Sequence, residues 1–245
     1  SGDWVSSILF AIVAATIVHT YFIQPYVIPT SSLEKTLLVG DFLFVSKMHY
    51  GARVPMTTVA APMVHDTIPV IKKKSYLTFP ELPYLRLPGF ENIERNDIVV
   101  FNWPVDTMRD MRYTDKYYYK PIDKKTNYVK RCVGLPGDSL EIRNGYVFIN
   151  GKQNQLPDRA KLQFSYEVIL KEGKGFDNRI YELLKSRYDI TDGIYRLNDG
   201  RIFVPAASEE AVNMFKNHPS VDKLIRIEHP KNERDASIFP SNPDY

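Results

Sequence analysis

Pro29-Thr30-Ser31-Ser32-Leu33-Glu34-Lys35-Thr36-Leu37-Leu38-Val39-Gly40-Asp41-Phe42-Leu43-Phe44-Val45-Ser46-Lys47 is the stretch from which the rest of the chain is read. It follows directly on an apolar segment and opens a strand-rich body. Three hydroxyls, Thr30, Ser31 and Ser32, crowd a turn behind Pro29. The proline ring fixes its own φ and biases Ile28 toward extended geometry. A hydroxyl on so rigid a turn is a candidate nucleophile, provided that a base activates it. Ser32 followed by Leu33-Glu34-Lys35 equally suits the cap of a short helix. Local sequence leaves both readings open.

Immediately upstream, residues 4–23 read WVSSILFAIVAATIVHTYFI, with no charged side chain. Such a run is the length at which a helix spans a bilayer, about 20 residues. Trp4 and Tyr21 near its ends suit the interfacial aromatic belts. The competing reading is a buried core helix, although most of those keep a charged face. A cleaved signal peptide fits poorly, because no basic region precedes an overlong apolar run. The whole chain of 245 residues accommodates one large domain or two modest ones. A net charge of only +3 gives no broad nucleic-acid footprint, so no nucleic-acid partner is expected. Cys132 is the single cysteine, which excludes an internal disulfide and a cysteine-based zinc site.

Downstream, 41–47 reads as a strand, and the proline-marked stretch 55–90 reads as a long loop. Lys72-Lys73-Lys74 within it suits a solvated face or a docking point for anionic headgroups. Strand signals resume at 97–101 and 128–133, the second stopped by Gly134-Leu135-Pro136-Gly137-Asp138. Asn144-Gly145 and Asn150-Gly151 mark tight hairpins. Beyond residue 158 the texture changes. Phe176, Ile180, Leu183 and Leu184 recur at helical spacing, and Ser208 caps a helix with the apolar face Ala211, Val212 and Phe215. With strands at 162–170, 194–197, 201–204 and 221–227 the order is β-α-β-β-α-β, the ferredoxin-like signature. The expected organisation is therefore a transmembrane helix at 4–23, a mainly antiparallel β domain at 24–158, an inserted α/β module at 159–229 and a tail at 230–245.

A serine nucleophile needs a proton acceptor. His49, His65, His218 and His229 stand in no recognisable frame, and no G-x-S-x-G elbow is present. Neither H-E-x-x-H nor a glycine-rich phosphate loop occurs, so no metal or cofactor is expected. Lysine is the other acceptor, and it works only in its neutral form. Lys130 lies in a strand between Val129 and Arg131, with Tyr128 and Cys132 on its own face. A strand lysine ordinarily faces solvent, so the residues alone do not choose it.

The runs Ile28-Pro29-Thr30-Ser31-Ser32-Leu33-Glu34-Lys35-Thr36-Leu37, Gly40-Asp41, Val45-x-Lys47 and Tyr128-x-Lys130-Arg131-x-Val133-Gly134-Leu135-Pro136-Gly137-Asp138 together resemble bacterial type I signal peptidase. That family's pattern is I-P-S-x-S-M-x-P-T-L, then G-D, then K-R-x-V-G-L-P-G-D. Here Thr30 stands for a serine, Leu33 for a methionine and Lys35 for a proline. The resemblance covers residues 4–151, and the proline-rich loop is similar to that of Bacteroidetes-type members. It implies a Ser–Lys dyad with Ser32 as nucleophile and Lys130 as neutral general base. It implies an oxyanion hole from the Ser32 backbone N–H and the Thr30 hydroxyl. It also implies pockets for small side chains near Tyr26, Ile28, Pro29, Leu43 and Val129. The implied enzyme is a serine endopeptidase that removes signal peptides from exported preproteins. It would sit in the bacterial cytoplasmic (inner) membrane with its catalytic domain on the outer, periplasmic face. Signal peptides, membrane lipid and the translocation machinery would be its partners, with no cofactor. Two other readings compete: a penicillin-recognising enzyme, from the S-x-x-K match Ser32-Leu33-Glu34-Lys35, and an inactive anchored scaffold of the same fold. Family members carry a later run, G-D-N-x-x-x-S-x-D-S-R, whose serine bonds the catalytic lysine. The expectation is therefore a fragment, weak or inactive alone, whose residues 230–245 return toward a missing C-terminal part.

Overall fold

Residues Gly2–Tyr21 form the helix α1 in the computed structural model, which describes residues 2–33, 35–69, 71–107 and 117–228. None of its side chains is buried, although the helix is apolar on all sides and long enough to cross a membrane. A helix apolar all round and uncovered by protein is built for a lipid solvent. It ends two residues earlier than the hydropathy suggests. Ile23–Val27 instead forms β1, which pairs antiparallel with β2, Phe42–Ser46. Pro25 cannot continue a helix, and in a two-stranded ribbon its missing N–H leaves no ladder bond unmade on the open edge.

Two compact units share the chain. One holds residues 2–32 and 39–137; the other holds 33–38 and the described residues from 138 onward. The first contains α1, the β1–β2 hairpin, and a second antiparallel pair, β3 (Ile98–Asn102) with β4 (Asn127–Arg131). Between the hairpins, the proline-rich stretch is not a structureless loop as the sequence reads. Isolated antiparallel bridges Arg53↔Arg86, Thr57↔Glu81, Ala60↔Tyr76 and Thr67↔Lys74 fold it into a long irregular hairpin. Its prolines remove backbone donors, so pairing survives only as single bridges. Asp123 anchors one arm, its carboxylate accepting from the Met56 and Thr57 N–H groups and the Thr57 hydroxyl. Lys74 of the Lys72-Lys73-Lys74 run lies 4.2 Å over the Tyr118 ring.

The second unit contains a meander, β5 (Leu140–Arg143), β6 (Tyr146–Ile149) and β7 (Lys152–Gln153). Asn144 and Gly145 turn it with φ of 49° and 77°, the paired positive values that a two-residue hairpin turn demands. The same unit holds β8 (Phe164–Leu170), α2 (Asn178–Ser186), β9 (Tyr195–Arg196), β10 (Ile202–Ala207), α3 (Glu209–Asn217) and β11 (Val221–Arg226). Its sheet runs β11-β8-β10-β9, all pairs antiparallel. Numbered within the unit this is 4-1-3-2, with each helix crossing between strands. The meander packs on this sheet through Arg226. That side chain stacks 3.6 Å from the Phe164 ring centre and donates to the Asn144 carbonyl. A Cβ at Gly145 would meet Phe164 at 2.6 Å. These contacts carry the unit boundary back to 137/138, upstream of the change in sequence texture at 158. Residues 230–245 lie outside the described residues.

Val168, Leu184, Ile202, Val204, Ala211 and Phe215 form the buried centre of this unit. Asp177 and Ser208 cap the two helices by accepting from Ile180 N–H and Ala211 N–H. Phe176, just before the first cap, packs edge-on against Tyr181 and also against Phe215. It therefore acts as a staple at the helix start and not as a member of the helix face. Phe215→Ala should destabilise this unit by about 3–5 kcal/mol, whereas Phe79→Ala at an exposed position should change stability by less than about 0.5 kcal/mol. Denaturant unfolding of the detergent-solubilised protein checks the contrast.

Candidate active site

The hydroxyl-bearing turn at 29–40 leaves and re-enters the β1–β2 hairpin at a clamp. Ile28 N–H donates to the Asp41 carbonyl at 3.0 Å, and Gly40 N–H to the Ile28 carbonyl at 2.9 Å. Of its hydroxyl residues, Ser31 is buried, while Thr30 and Ser32 are exposed. Along β4 the side chains alternate, with Asn127, Val129 and Arg131 on one face and Tyr128 and Lys130 on the other. Trp103 packs on Tyr128 with ring centres 5.4 Å apart. Lys130, exposed at its tip of the ladder, is bonded to Ser32: Nζ donates to Oγ at 2.6 Å across 98 residues of chain. If the amine is neutral, the same pair reverses and the hydroxyl donates to the nitrogen lone pair.

A chain of side-chain hydrogen bonds links the two strand pairs. Arg53 Nη1 donates to Asn102 Oδ1 at 2.8 Å, Asn102 Nδ2 to Asn127 Oδ1 at 3.0 Å, and Asn127 Nδ2 to the Tyr26 hydroxyl at 2.9 Å. Tyr26 thereby ties β1 to β4. Burial pushes its phenol up to about 12, with the Arg53 charge acting weakly in the opposite direction. Lys47, at the end of β2, is pushed below the ordinary lysine range by burial and then by Arg53. Sequence reading missed Arg53, Asn102 and Asn127. Asparagine is a poor strand former, and its presence at both ends of one β3–β4 pair was the available signal.

The start of β4 is held from behind. Asp106 accepts from the Thr126 N–H and hydroxyl, each at 2.8 Å, and pairs with Lys120 at 3.1 Å. Both charged residues are buried, and Asp66 stands 3.5 Å from the same ammonium. Burial alone would raise the Asp106 carboxyl. The Thr126 hydrogen bonds and the Lys120 ammonium more than offset it and hold the group below the usual carboxylate range.

Other expected site residues fall less tidily. Leu43 and Val129 are half-buried and Pro29 is exposed, but Ile28 is packed into the core with 3% of its surface open. The open groove lined by Arg187, Tyr188, Asn213 and Met214 belongs to the other unit and includes none of them. Lys35, the partner that an S-x-x-K enzyme would use, points elsewhere. Its Nζ lies 2.9 Å from Asp189 Oδ2 and 3.4 Å from Glu210 Oε2. The Asp189 hydrogen bond holds this amine above the ordinary lysine range, the reverse of what a base requires. Among the described residues no histidine bonds Ser32. His65 is turned to the Lys125 carbonyl, and His218 accepts from the Ser220 N–H. His229 lies outside the described residues. Nor do the described residues hold a cluster of three or more His, Cys, Asp or Glu fit for a metal.

An apolar helix long enough to cross a bilayer, joined to a strand-rich body, makes this a membrane-anchored β-rich protein. The chain belongs to the signal peptidase, peptidase S26 family, whose pattern matches residues 1–208. It is 27% identical over 151 residues to Signal peptidase I P of Bacillus subtilis subsp. natto, which covers 62% of this chain and 51% of that protein. To Signal peptidase I of Rickettsia massiliae (strain Mtu5) it is 27% identical over 151 residues, covering 62% and 43%. To that of Rickettsia canadensis (strain McKiel) it is 26% identical over 213 residues, covering 82% and 66%. The chain thus spans about half the length of the first of these relatives and less of the second.

The buried pair behind β4 generates a test. Asp106→Ala leaves the buried Lys120 ammonium with Asp66 alone and the Thr126 N–H without its acceptor, and should lower stability by about 3 kcal/mol, measured by denaturant unfolding. In the unaltered protein the Asp106 contribution is fully present above about pH 3.9, where an unfolded aspartate titrates. It is lost as pH falls through the depressed folded value, so acid unfolding of Asp106→Ala should show a shallower pH dependence than wild type.

Proposed function

We propose that this protein is a membrane-bound serine endopeptidase that removes signal peptides from exported preproteins through a Ser32–Lys130 dyad. The observation that carries the reading is the 2.6 Å approach of Lys130 Nζ to Ser32 Oγ on a chain of the signal peptidase family. In the proposed reaction Ser32 Oγ attacks the scissile carbonyl carbon and its proton passes to neutral Lys130 Nζ. The negative charge then gathers on the carbonyl oxygen, where the Ser32 N–H and the Thr30 hydroxyl would receive it. Collapse breaks the C–N bond, and Lys130 returns the proton to the leaving amine. Water, deprotonated by Lys130, then releases the signal peptide from Ser32 by the same steps in reverse order. It is the unprotonated amine that can accept the serine proton.

Tyr26, Pro29, Leu43 and Val129 would border the pockets for small side chains, with Ile28 shaping them from the core behind. Helix α1 would anchor the protein in the bacterial inner membrane with the dyad on the periplasmic face. Lipid contact is supported by the exposed face of the β1–β2 hairpin, where Val27, Phe42 and Phe44 follow closely on α1. Residues 159–229 would be an α/β module inserted into the peptidase body, and the translocation machinery a further partner.

Ser32→Ala and Lys130→Ala should each lower kcat for a signal-peptide substrate by at least about 10³-fold. Thr30→Val, which keeps the shape and removes the donor, should lower it by about 10²-fold. Cleavage assays on the natural protein in detergent or lipid read all three. Near-normal turnover in Ser32→Ala or Lys130→Ala would overturn the dyad.

A further inference from the structure

The residues that follow the nucleophile belong to the same compact unit as the α/β sheet, not to the unit that holds Lys130. Leu33 is joined to Ser32 by one peptide bond, and its carbonyl accepts from Thr36 N–H at 2.8 Å and Leu37 N–H at 3.0 Å. Two side chains tie this turn down. Thr36 Oγ1 donates to the Arg159 carbonyl at 3.2 Å, and Lys35 Nζ reaches both Asp189 and Glu210.

Both carboxylates stand on fixed ground. Asp189 lies in the left-handed region at φ 51°, a conformation that aspartate tolerates better than most residues. Buried Leu184 and Ile190 hold the backbone on either side, with Ile190 N–H donating to the Leu184 carbonyl. Glu210 sits in the first turn of α3, which buries Ala211, Val212 and Phe215 immediately after it. Asp189, at 2.9 Å, is the firmer of the two partners, and the more exposed Glu210 adds a second contact at 3.4 Å.

We propose that Lys35 is a positioning residue for Ser32, and that the α/β unit braces the nucleophile turn through the Asp189–Lys35–Glu210 ion cluster. This rests on Ser32 being the nucleophile. A serine has to stand within a fraction of an ångström of its productive position for attack on a carbonyl. Its backbone is set on one side by the Ile28–Asp41 clamp and on the other by this turn. Ion pairs with this much solvent access add little to overall stability, so their effect falls on where the turn sits.

The test is steady-state cleavage of a signal-peptide substrate by the natural protein and its variants. Lys35→Met should lower kcat about three- to tenfold with KM and the melting temperature unchanged, the range within reach of one or two partly exposed ion pairs. The double variant Asp189→Asn/Glu210→Gln should match it, and Lys35→Arg should stay within about twofold of wild type. Lys35→Glu combined with Asp189→Lys should turn over faster than Lys35→Glu alone. Added salt should lower kcat of the wild type and leave Lys35→Met flat, because screening acts on the pair. Wild-type kcat in Lys35→Met, or equal salt dependence in the two proteins, overturns the brace. If Ser32→Ala is dead in the same assay, that result leaves the dyad standing. If Ser32→Ala still cleaves, the dyad falls and the brace with it.

Discussion

Lys130 and Ser32 are 98 residues apart in the chain; Lys130 lies in β4 of one antiparallel pair, and Ser32 in the turn that joins the strands of the other. Their 2.6 Å contact depends on keeping two separate antiparallel pairs in one fixed relation. Backbone ladders cannot do this, because β1–β2 and β3–β4 share no ladder. The relation is set by the side-chain relay from Arg53 through Asn102 and Asn127 to Tyr26. Each link is an amide, guanidinium or phenol with defined geometry, and each sits partly out of water, where an unmade hydrogen bond is expensive. A relay of this kind has little tolerance for a shift of either hairpin.

The relay is in turn supported at its far side by buried charge. Asp106 and Lys120 are withdrawn from solvent together, and Asp106 spends its remaining acceptor capacity on Thr126 at the start of β4. Asp123 does the same for the proline-rich hairpin at Met56 and Thr57. A stretch with so many prolines cannot close a regular ladder. Carboxylates therefore satisfy backbone donors that a neighbouring strand would otherwise take. Acidic side chains from the 106–126 segment thus hold two structures at once: the strand that carries the lysine and the hairpin beside it.

Much of this was legible from residue pattern. The apolar helix, the strands around 97–101 and 128–133, the Asn144-Gly145 turn and the Ser208 cap all rest on local physics, so they survive without knowledge of the rest of the chain. Two departures share one cause. Ile23 looked helical by hydropathy, and the stretch 55–90 looked unpaired by its prolines, yet both are paired with partners distant in sequence. Phe176 shared a helical period with Ile180 and Leu184 but stands before the helix, because Asp177 caps it.

The sequence by itself determined which chemistry was available. It supplied one hydroxyl turn behind a proline, one strand lysine followed by Arg131 and the Gly134–Asp138 run, one spanning helix, and no histidine frame or metal set. Which lysine meets the serine was decided only in three dimensions. Lys35 is three residues from Ser32 and Lys130 is ninety-eight away, so proximity along the chain points to Lys35, whereas the 2.6 Å contact is made by Lys130. Folding gives Lys35 two carboxylates, which hold its proton, and leaves Lys130 with the hydroxyl. The physical reason is that protonation and reach depend on neighbours brought together by packing, and no local period or motif spacing encodes those neighbours.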